Sequence, residues 1–140
     1  MESYEQRVRE SFSRQEMMKT LDAELSAVRS GAAEIRFPFA VSLTQQHGYV
    51  HAGAVTTILD SACGYAALTV APEGSEVLSV EFKVNLLAPA AGESIVARAY
   101  VKRAGKTLAV CAGDAFAIRP NGEKLIATML ATMIYIPVEK

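Results

Sequence analysis

Residues Gln45–Leu68 read QQHGYVHAGAVTTILDSACGYAAL. From Gly53 onward, Ala54, Val55, Ile58, Leu59, Ala62, Cys63 and Ala66 recur at helical spacing and form a wide apolar stripe. At 100° per residue, the narrow remaining face holds Gly53, Thr56, Thr57, Asp60, Gly64 and Ala67. A helix this apolar belongs in a core. An exposed helix face normally carries Lys and Glu, whereas this one carries small residues that let a backbone or a ligand approach closely.

The flanking segments show what such a helix packs against. Before it, Tyr4 to Val28 carries apolar side chains at Val8, Phe12, Met18, Leu21, Leu25 and Val28, which predicts one or two amphipathic helices. Ser30-Gly31 ends that region. Ile35, Phe37 and Phe39 then alternate with polar or Pro positions and predict a first strand at a sheet edge. After Pro72-Glu73-Gly74 the period becomes two. Leu78, Val80, Phe82, Val84 and Leu86 alternate with Ser79, Glu81, Lys83 and Asn85, which predicts a half-buried strand closed by Ala88-Pro89. Three more strand-like runs follow near Ile95–Arg103, Lys106–Ile118 and Lys124–Ile136. The tight turns Arg103-Ala104-Gly105-Lys106 and Pro120-Asn121-Gly122-Glu123 join them as antiparallel hairpins. The expected architecture is α+β: a four-strand antiparallel meander, preceded by one further strand, curving around a long helix.

Composition narrows the possible functions. The 140 residues suit a single domain, with residues 1–31 as a helical N-terminal extension, and 51% hydrophobic content is enough to build a core. A net charge of -1 lacks the basic excess of a nucleic-acid binder. Cys63 and Cys111 lie in apolar stretches without CxxC pairing, as buried thiols of a reducing compartment do. The polar start MESYEQRVRE does not read as a secretory signal, and no apolar run is long enough to span a membrane, so a cytoplasmic protein is expected.

Two residues of the long helix could carry chemistry. Asp60 is a lone carboxylate on an apolar helix. It is either a solvated acid on an exposed stripe or a general base or nucleophile in a largely dry site. Gly53 opens the helix, where backbone N–H groups lack internal partners at the positive end of the dipole. It is either a turn glycine or the place where a carbonyl oxygen meets an N–H, as in an oxyanion hole. Seven residues separate them, about 10 Å along the axis, too far for one carbonyl to meet both within a chain. If both act on one carbonyl, two helices must meet antiparallel in a symmetric dimer. His47 and His51 stand four apart, but Gly48 and the lack of an intervening Glu exclude the HExxH zinc helix, and no further ligand cluster supports a metal site.

The segment HGYVHAGAVTTILDSACGYAA resembles the signature of the PaaI-type hotdog-fold thioesterases, and the resemblance runs from about Ala33 to Ile136. It implies a hotdog fold, with a curved antiparallel sheet wrapped around the long helix. It also implies acyl-coenzyme A as substrate with no separate cofactor, and a homodimer that can pair again into a dimer of dimers. The family's helix-start glycine falls on Gly53, its acid on Asp60 and its His on His51. A strand Ser that positions water in some members falls on Ser79. The turn RAGKT resembles the family's loop near coenzyme A, which implies phosphate contacts for Lys102, Arg103 and Lys106; ordinary solvated turn charges are the alternative. The family's Asn is here Gln45, a longer amide, and its HGG is His51-Ala52-Gly53.

Acyl-coenzyme A hydrolysis is therefore the expected function. The alternatives are an enoyl-thioester hydratase, for which no His beside a Pro-rich turn is present, and a non-catalytic acyl-coenzyme A binding module, in which Asp60 would have no role. Tyr49, Tyr65, Met129 and Met133 suit either core packing or an acyl tunnel.

Overall fold

A computed structural model describes residues 3–138, so both extreme ends of the 1–140 domain lie outside it. Helix α1 spans Tyr4–Arg14 and begins with a capping box in which Ser3 and Gln6 satisfy each other's backbone N–H. A short α2, Glu16–Thr20, follows. Strands β1 (Glu24–Arg29) and β2 (Ala32–Pro38) come next, joined at Gly31, whose φ of 79° suits glycine. The long helix α3 occupies Ala52–Thr69. Strands β3 (Ser75–Leu86), β4 (Ser94–Ala104), β5 (Leu108–Arg119) and β6 (Gly122–Pro137) complete one antiparallel sheet of order β1-β2-β4-β5-β6-β3.

The sheet wraps α3 because its inner face is built from small residues. Ala97, Ala99, Ala109, Cys111, Ala115, Ala127 and Ala131 are all buried there. At Gly113 an added Cβ would stand 3.3 Å from Leu59 Cδ2 and 3.4 Å from Cys63 Sγ, so the missing side chain lets the helix pack closely on the sheet here. Larger side chains, Phe37, Ile58, Leu59, Ile95 and Met133, fill the remaining core.

Four expectations need correction. The helical reading of Tyr4–Val28 fails after Thr20, because Glu24–Arg29 is a strand. A register shift between Leu25 and Ala27 lets Leu25 and Val28, three apart, both lie over the core, which imitates helical spacing. Consequently β2 is not an edge strand: it lies between β1 and β4. The four later strands do not form a sequential meander either, since β3 crosses over to pair with β6 and leaves its other side open. Finally, β3 is an edge strand whose Leu78, Val80, Phe82 and Leu86 are between 42% and 57% exposed, rather than half-buried.

Candidate functional site

The bulge in β3 creates the first element of the site. Its register shifts between Ser79, paired with Met133, and Glu81, paired with Thr132. Val77 and Ser79 therefore face α3 on one side of the bulge, and Phe82 and Val84 on the other, while Leu78 points away from the helix. Ser79 Oγ donates to Asp60 Oδ1 at 2.6 Å and lies 3.4 Å from Met133 Sδ. Asp60 is half-buried and opens onto a cavity of about 350 Å³. The cavity runs between α1, α3 and β3 and is lined by Gln15, Tyr65, Val77 and Met133 among others.

The second element is the N-terminus of α3. His51 is its N-cap, and its imidazole Nδ1 accepts the Gly53 N–H at 2.8 Å. An accepting Nδ1 places the neutral ring's proton on Nε2. The approach to the helix is fixed by the backbone: His51 N–H donates to Leu43 O and Val50 N–H to Ala90 O. Gln45 Oε1 accepts the N–H groups of His47 (2.6 Å) and Tyr49 (3.2 Å), so this amide organises the loop leading into the helix. Gln45, Tyr49 and His51 line a second cavity of about 490 Å³ with Leu86, Leu87 and Pro89.

The chain thus joins Asp60, midway along α3, with Ser79 in one cavity, and gathers Gln45, His51 and Gly53 at the N-terminus of α3. Neither of the two cavities is lined by members of both groups. Lys102, Arg103 and Lys106 sit exposed around the β4–β5 hairpin and border neither cavity, and Lys102 Nζ lies 5.7 Å from the centre of the Tyr100 ring. The hairpin does project at the sheet end nearest Asp60, because Thr107 O accepts the N–H of Tyr135, which pairs with Val77.

Neither thiol competes with Asp60 for a chemical role. Both are fully buried. Burial, reinforced by Cys111 and then by Asp60, pushes the Cys63 thiol up, and burial pushes Cys111 up to about 11. A thiol so shifted is protonated at neutral pH and is a poor nucleophile. Among the described residues, no three His, Cys, Asp or Glu side chains converge as metal ligands would.

Reading the sequence alone misses Gln15, Ser61 and Arg14, which contribute to the Asp60 cavity, and leaves Tyr65 and Met133 between core packing and an acyl tunnel; both line the cavity. The signal for Gln15 is long-range. Its amide bridges Tyr65 and Ser61 across some fifty residues of chain, which no local spacing reveals.

A family model described as the thioesterase superfamily matches residues 47–121, more than half of the chain. A thioesterase family protein from Silicibacter pomeroyi has a solved structure that is 48% identical, with 97% of this chain and 100% of that chain covered and a TM-score of 0.95. The PaaI protein of the E. coli phenylacetic acid degradation operon superposes with a TM-score of 0.83 at 19% identity, covering 95% of this chain and 93% of that one. A thioesterase from Haemophilus influenzae gives 0.82 at 21% identity, covering 100% and 94%. At those lower identities the likeness is one of fold.

Proposed function

The chain belongs to the thioesterase superfamily, and on that premise we propose that it hydrolyses acyl-coenzyme A thioesters to the free acid and coenzyme A, in a homodimer whose two active sites are each shared between subunits. The observation that carries the reading is the Asp60–Ser79 hydrogen bond at the edge of a cavity. A carboxylate there serves either by taking a proton from the attacking water or by attacking the carbonyl carbon itself. Ser79 engages Oδ1 and fixes the direction of the carboxylate. In the first route the C–S bond of the tetrahedral adduct breaks and the departing sulfur takes the proton drawn from water. In the second the thiolate leaves a mixed anhydride on Asp60, which water hydrolyses to the free acid and the restored carboxylate, its remaining proton going to the thiolate.

The developing oxyanion needs a donor, and the Gly53 N–H of the partner subunit supplies it. His51 Nδ1 holds this N–H in the free protein, so substrate entry exchanges an imidazole acceptor for a carbonyl oxygen. Support for the shared site comes from β3. An open edge strand with Leu78, Val80, Phe82, Leu86 and Leu87 all exposed is an aggregation site unless another strand covers it. Pairing with its own copy about a two-fold axis through Lys83, which sets Phe82 opposite Val84 of the partner subunit with both toward the helices, would cover it. Glu81 then stands opposite Asn85 of the partner subunit and, across the bulge, Ser79 opposite Leu86 of the partner subunit. The Asp60 cavity of one subunit then meets the helix-entrance cavity of the other, which Leu86 lines. The same dimer explains how Gly53 at the start of α3 and Asp60 midway along it can act on a single carbonyl.

Turnover of a panel of short, medium, long and aromatic acyl-coenzyme A thioesters, followed by thiol release, tests the activity. Hydrolysis of at least one class is expected. Binding of these thioesters without turnover of any would instead identify a binding module.

The basic hairpin gives a more specific expectation. Lys102, Arg103 and Lys106 are proposed to contact the phosphates of coenzyme A. Replacing all three with Ala should raise KM for acyl-coenzyme A and spare a truncated thioester lacking the nucleotide. Exposed ion contacts are worth about 1 kcal/mol or less each, so the KM effect should be modest and diminish with salt. Equal effects on both substrates would assign the hairpin a structural role.

A further inference from the structure

We infer that Met133 is a positioning residue for the reaction: its sulfur is a second acceptor for the Ser79 hydroxyl, which turns to it once Asp60 has lost its charge. The inference rests on the hydrolytic reading above and adds a residue to that mechanism. A serine hydroxyl carries one proton. Among the described residues that proton has two acceptors, Asp60 Oδ1 at 2.6 Å and Met133 Sδ at 3.4 Å. It cannot serve both at full strength. A charged carboxylate at short distance outcompetes a thioether, which is a weak acceptor, so in the free protein the hydroxyl points to Asp60.

Turnover changes that balance. Asp60 becomes neutral in either route, by taking a proton from water or by forming the mixed anhydride. Hydrogen bonds to a charged group are about twice as strong as those between neutral groups, so the hold on the hydroxyl weakens at that moment. Its proton then swings to Sδ by rotation about the Cβ–Oγ bond, with no covalent bond made or broken. Oγ now turns its lone pairs toward the cavity, where they accept from a water. In the anhydride route that is the water which completes the cycle. In the base route the rotation loosens Ser79 from Asp60 as the acid gives its proton to the departing sulfur.

The fold holds the acceptor in place. Met133 is the cross-strand partner of Ser79 and stands beside Ala109 of β5 on its other side. It is fully buried, and the bulge in β3 begins directly after Ser79. Leu or Ile would fill a similar volume, but neither brings an acceptor.

Met133→Leu conserves volume and should fold. It should lower kcat about threefold to tenfold, the worth of one modest hydrogen bond, with KM held within about twofold. In a Ser79→Ala background the same substitution should leave kcat where Ser79→Ala alone put it. Lost packing would instead lower kcat by the same factor in both backgrounds. The methyl NMR resonance of Met133 supplies a readout that needs no turnover. Asp60→Ala should move it, as the hydroxyl turns to Sδ, by more than it does in the Ser79→Ala background. That larger movement, with no thioester hydrolysed by the wild type, would keep the two-acceptor hydroxyl and overturn the hydrolytic reading. An unchanged kcat in Met133→Leu, equal losses in both backgrounds, or a resonance that Asp60→Ala moves equally in both overturns the inference.

Discussion

Asp60→Asn is expected to fold as the wild type does and to lose about 10² to 10⁴ in kcat, the range that general-base assistance supplies. The substitution keeps the shape of the side chain and its ability to accept from Ser79, now 2.6 Å from the carboxylate. It removes the basic, nucleophilic oxygen on which either route depends. Stability should be little affected, because Asp60 is only half-buried and no salt bridge holds it among the described residues. Unchanged circular dichroism and melting temperature beside the reduced kcat would establish the assignment. Near-normal kcat in the folded variant would remove Asp60 from the chemistry. Ser79→Ala should cost less, since it frees the carboxylate to turn without deleting it.

The long helix, the antiparallel sheet around it and Asp60 and Ser79 as separate candidates were legible in the sequence, for different reasons, whereas the hydrogen bond between those two residues was not. Helix α3 is apolar on most of its circumference, so its period survives burial, and its predicted span agrees with Ala52–Thr69 to within a residue at each end. Asp60 stood out as the sole charge on that helix. Ser79 was implied by the family resemblance alone. Its alternation with Leu78 and Val80 suggests one polar face and one apolar face along the whole strand, and the bulge after Ser79 defeats that pattern. The same device hid β1, where the shift after Leu25 turned a strand into apparent helical spacing. A bulge inserts one residue and reverses which face the following side chains take, so a period-two reading cannot follow the chain through it.

Strand order was illegible for a related reason. Strands β4, β5 and β6 follow one another through tight turns whose chemistry is written locally. The crossover that carries β3 to β6 depends on α3 passing beneath the sheet. The exposed edge that results is what links the fold to the proposed assembly, since an apolar strand left half-paired in one chain is completed by a second. At the helix entrance, the sequence pointed to Gly53 as a donor but not to the acceptor already holding it. The His51 imidazole is the N-cap, a role more often taken by Ser, Thr, Asp or Asn.

The most direct test of the shared site uses two inactive variants, Asp60→Ala and Gly53→Pro. Gly53 is the second residue of α3, and its φ is not positive, so proline deletes the N–H within the first turn, where helices tolerate it. The added ring carbons approach the His51 ring, whose Nδ1 would lie 3.0 Å from a Cβ here, but the imidazole loses its N–H partner and can turn aside. Circular dichroism confirms that each variant folds. In a mixed dimer, one site receives both an intact Gly53 and an intact Asp60, and the other receives neither. Random remixing in equal amounts makes about half of the dimers hybrid, so roughly a quarter of wild-type activity should return. Hybrids that form by mass spectrometry yet remain as inactive as their parents would contradict a site built from Gly53 of one subunit and Asp60 of the other.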